Sequence, residues 1–301
     1  MLKFTESPTP AFNAAVAQLD RLRSFSPSIE QQLDLLTSAV TTTRFKQLDK
    51  MAADRPGHEW RVENGASAYL RPDTDHDQPG YRPSPELLRE KILSDIMQDL
   101  RLPHTAAALV SHNSYQPGMP NAILSLVAAN NIRTMEEIIL AERKTDFRYN
   151  LLRHKPGLSP AFAALSVADI WIGNFDRMTC NIITDAKSKN ADPTSCYGID
   201  LNKICFQDEA PGCIFTRLGQ KAALNTLNPD LVIPAINTTL AAIENYPLAR
   251  LLQLAGRVQP YAGDHDFAAE MHKLHSRQPV LRQALGRNFP DSITWQIKAL
   301  A

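Results

Sequence analysis

The chain has 301 residues, 44% of them hydrophobic and 21% charged, which is enough apolar material for one large core or two modest ones. Its 32 Lys and Arg balance 32 Asp and Glu, so no whole-protein field draws it to nucleic acid or to an anionic membrane. No apolar run reaches the ~18 residues that a spanning helix needs, and the opening MLKFTESPTPAF lacks the apolar middle of a secretory signal; both point to the cytoplasm.

To about residue 43 the apolar spacing in PAFNAAVAQLDRLR and SIEQQLDLLTSAV predicts a pair of helices, with Ser26 and Ser28 as caps. The character changes between residues 44 and 112. EWRVENGASAYLRP predicts two strands turning at Asn64-Gly65, and the polar DTDHDQPGYRP that follows reads as a solvated loop, since it lacks the glycine and distal glutamate of a calcium loop. Ser84, Pro85 and Glu86 then open a helix that runs to about Leu100. Leu88, Ile92, Leu93, Ile96, Met97 and Leu100 make its apolar face, and Glu86 and Glu90 lie on the edge of that face, one turn apart. HTAAALVSH reads as a buried strand.

From about residue 114 the pattern predicts an almost wholly helical unit. TMEEIILAER carries the capping box Thr134-x-x-Glu137, and SPAFAALSVADIWI opens on Ser159-Pro160. One β hairpin interrupts these helices, starting at Asn181 and ending at Asp200. Helices return in IPAINTTLAAIENY, PLARLLQLAG and DFAAEMHKLHS, where the pair His272 and His275 reads as surface. Cys180, Cys196, Cys205 and Cys213 form no C-x-x-C pair and read as reduced thiols. The expected class is α+β, divided into an N-terminal helical extension (1–43), a small β-rich unit (44–112) and a larger helical unit (113–301).

The chemistry concentrates in WIGNFDRMTCNIIT, Trp171 to Thr184. Phosphoryl transfer from a nucleotide needs a carboxylate to handle the acceptor hydroxyl, oxygen ligands for magnesium and a cation on the phosphates. Asp176 is followed five positions on by Asn181, and Asp200 closes the next strand-like piece in GID. A helix ending near Ile172, a polar loop and a hairpin would bring two carboxylates and an amide to one magnesium-nucleotide site. Asn174, Asp176 and Asn181 also suit a helix cap and a turn. Arg177 either binds a phosphate or ties the loop by a salt bridge.

IGNFDRMTCNIIT followed by YGIDL resembles the G-N-x-D-R/H-x-x-x-N … I-D signature of HipA-like kinases and the related type II phosphatidylinositol 4-kinases. The resemblance spans roughly residues 60 to 206 and implies a bilobal protein-kinase-like fold using ATP and Mg2+. It makes Asp176 the catalytic base and Asn181 and Asp200 the metal ligands. AYLRP resembles the strand that carries the family's phosphate-binding lysine, with Arg71 in that place, and Glu90 stands at the family's distance before Leu102-Pro103 as its ion-pair partner; Glu86 is the alternative. Three departures are visible: Arg71 for lysine, Arg101 for a glycine, and no glycine-rich loop, since Gly57 and Gly65 are the only glycines between residues 46 and 79. The implied partners are a nucleotide and a protein serine or threonine; the balanced charge and the lack of a membrane-docking helix predict no direct nucleic-acid binding and no membrane docking. The alternative function is that of a pseudokinase, a binding module that keeps the fold without catalysis.

Overall fold

The computed structural model describes residues 58–61, 67–74, 78–110, 119–127, 132–134, 159–177, 181–185, 196–201, 204 and 229–288. The expected N-terminal helical pair, the Asn64-Gly65 turn and most of TMEEIILAER lie outside these residues. The chain divides into two units, one made of residues 1–98, 105–130 and 257–265, the other of residues 99–104, 131–256 and 266–301.

The first unit holds a four-stranded antiparallel sheet of β1 (His58–Arg61), β2 (Ser67–Pro72), β3 (Ala106–Val110) and β4 (Ala122–Val127), in the order β1-β2-β4-β3. β4 pairs with both β2 and β3, setting Arg71 opposite Ile123 and Leu109 opposite Ile123. Directly opposed residues share a face of the sheet. Helix α1 (Pro85–Asp99) covers this face, its Leu87 packing with Ala107, Ile123 and Leu109.

Local chemistry starts α1 where the sequence places it. Ser84 Oγ accepts from Leu87 N at 3.1 Å and donates to Asp73 Oδ1 at 2.6 Å, so a single hydroxyl caps the helix and ties it to the end of β2. Asp73 also accepts from Tyr81 Oη at 2.5 Å. Leu87, Leu88, Ile92, Leu93 and Ile96 are fully buried, each worth about 1.5–3 kcal/mol of transfer free energy.

The second unit holds a three-stranded antiparallel sheet, β5 (Ile132–Thr134), β6 (Ile182–Asp185) and β7 (Cys196–Gly198), in that order. Its helices are α2 (Ser159–Ile172), α3 (Pro229–Glu244), most of α4 (Leu248–Val258), α5 (Phe267–Ser276) and α6 (Leu281–Asn288). α2 is apolar nearly all round and buried, lying against α3 and α6. Its last turn is pinned: Trp171 Nε1 donates to Leu274 O at 3.0 Å, Arg277 Nη1 donates to Trp171 O at 3.1 Å, and the Trp171 ring meets Tyr246 edge-on.

The fold is α+β, and one sequence expectation is corrected. Residues after 114 are not almost wholly helical, because β4 and β5 fall among them. The apolar run AILSLV carries no periodicity that separates a strand from a buried helical turn. It is central in its sheet, with Ala122, Ile123 and Ser125 buried. Among the described residues no helix is long and apolar enough to cross a membrane.

Candidate functional site

The site loop is launched by a glycine. Gly173 has φ 77° and follows the last residue of α2; its N–H and that of Asn174 both donate to Asp169 O, at 2.9 and 2.8 Å. This is the left-handed helix ending that glycine tolerates best. It turns the chain so that Asn174, Asp176 and Arg177 follow at once.

Asn174 is fully buried. Its Nδ2 donates to Asp169 Oδ1 at 2.9 Å, and its Oδ1 accepts from Asp176 N at 3.0 Å, which fixes the backbone that carries the Asp176 carboxylate. Asn181 Nδ2 donates to Asp176 O at 2.7 Å, so the loop is closed on itself by side-chain amides at both ends. Asn181 O in turn accepts from Ile199 N at 3.0 Å, extending the β6-β7 pairing by one step beyond Ile182 opposite Gly198. Asp200 follows directly. The hairpin and the loop therefore gather Asp176, Asn181 and Asp200 into one neighbourhood.

Asp200 has two unusual features. Its φ is 59°, a left-handed conformation that costs a non-glycine residue energy but suits Asp better than most. Its Oδ1 is buried and has no hydrogen-bond partner among the described residues. A buried carboxylate oxygen left without a donor is costly unless a cation stands against it. The donor set fits magnesium: a hard carboxylate oxygen and an amide oxygen, the small number of protein ligands expected for an ion that keeps waters and binds substrate phosphates. Among the described residues no three His, Cys, Asp or Glu side chains cluster as a metal cage.

Arg177 is buried, and the structure resolves its alternatives in favour of the salt bridge. Nε and Nη2 fork onto Asp169 Oδ2 and Oδ1 at 3.0 and 3.1 Å. Nη1 donates to Asn181 O at 3.0 Å and Ile199 O at 2.7 Å. Asp169, itself fully buried in α2, is the member of the candidate site that the sequence motif does not announce. One signal was available: it is the lone charge in the apolar run AALSVADIWI, and a charge there requires a partner.

In the first unit, Arg71 Nη2 bonds Glu90 Oε2. Glu90 is buried, whereas Glu86 is exposed. Arg71 shares its sheet face with Ile123, so the guanidinium meets α1. Arg101, where the resemblance expects glycine, has φ 54°.

No protein-family model matches the chain. No curated protein matches it. Among solved structures, the crystal structure of a Helicobacter pylori proinflammatory kinase, CtkA, is similar at 13% identity and a TM-score of 0.38, over 85% of this chain and 95% of that one.

Proposed function

We propose that the chain is an ATP-dependent phosphotransferase of the HipA-like kinase group, modifying serine or threonine on a protein substrate in the cytoplasm. The observation that carries this reading is the buried Oδ1 of Asp200, which has no hydrogen-bond partner among the described residues and is held next to the Asp176 loop by the bond from Ile199 N to Asn181 O. A buried carboxylate oxygen with no donor among the described residues suits the role of a magnesium ligand.

Asn181 and Asp200 would hold the ion, which when bound supplies positive charge to the nucleotide phosphates. The chain's own residues do the rest. Asp176, its backbone fixed by Asn174 and Asn181, orients the acceptor hydroxyl and takes its proton as the phosphoryl group is transferred. Arg71 provides a fixed cation for phosphate oxygens, kept in place by Glu90.

Calorimetric titration of ATP with and without magnesium tests this assignment in the wild type and in Asp200→Asn. Magnesium should strengthen ATP binding in the wild type and have little effect in the variant. Equal strengthening in both would remove Asp200 from the metal site.

A further inference from the structure

We propose that Arg177 is a positioning residue for the metal ligands, anchored by Asp169 and admitted by Gly198; the inference rests on the phosphotransferase reading above. The guanidinium faces two ways. One edge is spent on the Asp169 carboxylate at 3.0 and 3.1 Å, which neutralises its charge inside the fold and prevents it from repelling a cation held nearby. The other edge reaches two main-chain carbonyls, one belonging to Asn181 and one to Ile199, the residue before Asp200. A single side chain therefore sets the spacing of the two segments that carry the metal-binding side chains.

Only a planar fork does this. A lysine ammonium in the same place lacks the geometry to pair bidentately with Asp169 and also reach both carbonyls. The opposite strand makes room for it: a Cβ on Gly198 would lie 2.9 Å from Arg177 Nη1 and 3.0 Å from both Arg177 Cζ and His104 Cδ2. Gly198 is further tied by its N–H donating to Pro103 O at 2.8 Å, a bond that a shift of the strand away from Arg177 would strain. Groups that orient metal ligands from behind typically carry about 10–100-fold of metal affinity, although they never touch the ion.

The test is Mn2+ titration by electron paramagnetic resonance on the full chain with ATP equimolar to it, read against a protein-free Mn2+–ATP blank, alongside thermal melts. Arg177→Lys should stay folded and bind Mn2+ at least about tenfold more weakly. Gly198→Ala, which keeps the guanidinium but crowds it, should lose less. Asp200→Asn serves as the control that loses the site itself. If Arg177→Lys melts lower yet binds Mn2+ as tightly as the wild type while Asp200→Asn does not bind, the role of Arg177 is purely structural and the inference fails while the phosphotransferase reading stands. Should Arg177→Lys not fold, Gly198→Ala decides on the same criterion, unchanged affinity with a lower melt overturning the proposal. No Mn2+ binding by the wild type overturns both.

Discussion

Arg71 and Glu90 are bonded across the face of the sheet that also buries Ile123 beneath α1, with side-chain exposures of 23% and 4%. Removing one member of such a pair leaves the other charge buried, a change that typically costs about 2–5 kcal/mol. Arg71→Ala also removes the cation proposed to bond the phosphates, and should weaken ATP binding by about 10-fold or more in a calorimetric titration. Arg71→Lys keeps the charge and should lose less. ATP affinity unchanged in both variants would favour the pseudokinase reading.

Arg101 tests the backbone. At φ 54° it adopts a conformation that costs a residue with a Cβ about 1–2 kcal/mol. Glycine relieves that strain and returns part of the gain as extra freedom in the unfolded chain. Arg101→Gly should raise the melting temperature by roughly 1–4 °C, and Arg101→Ala should not raise it. A fall in Tm for the glycine variant would mean that the Arg101 side chain contributes more than its backbone costs.

Tyr246 makes a pH prediction. Its hydroxyl donates to Asp99 Oδ2 at 2.6 Å, and Arg250 Nε donates to the same oxygen at 2.6 Å. Burial, and then the hydrogen bond and charge of Asp99, push the phenol well above its usual range. The folded chain thus keeps a proton that the unfolded chain releases above pH ~10. The stabilisation is complete below that pH and declines above it, by up to about 1.4 kcal/mol per pH unit for this one group. In denaturant melts the stability advantage of the wild type over Tyr246→Phe should shrink between pH 9 and about pH 11. A constant gap would show that the phenol ionises as readily in the fold as out of it.

The local geometry of the loop was legible because it depends on near neighbours in sequence. Gly173 takes a left-handed φ at the end of a helix, Asn174 and Asn181 both bond the main chain of Asp176, and the hairpin returns Asp200 by simple antiparallel pairing. The capping of α1 by Ser84 was legible for the same reason. What the sequence did not show depends on tertiary neighbours. AILSLV became a central strand because β2 and β3 flank it, and no periodicity within so short and largely apolar a run records that. The choice of Glu90 over Glu86 rests on which of two edge positions turns toward β2. Asp169 and Arg177 lie eight residues apart in sequence, and only the turn at Gly173 folds one onto the other.

Asp176 is proposed as the base that takes the acceptor's proton during phosphoryl transfer. Incubation of the purified full chain with magnesium and γ-labelled ATP, for the wild type and Asp176→Ala, measures it most directly. Label should appear on the wild-type protein or on an added protein substrate, and fall by about 100-fold or more in the variant while magnesium-ATP binding stays intact. Equal labelling by a folded Asp176→Ala protein would contradict the account.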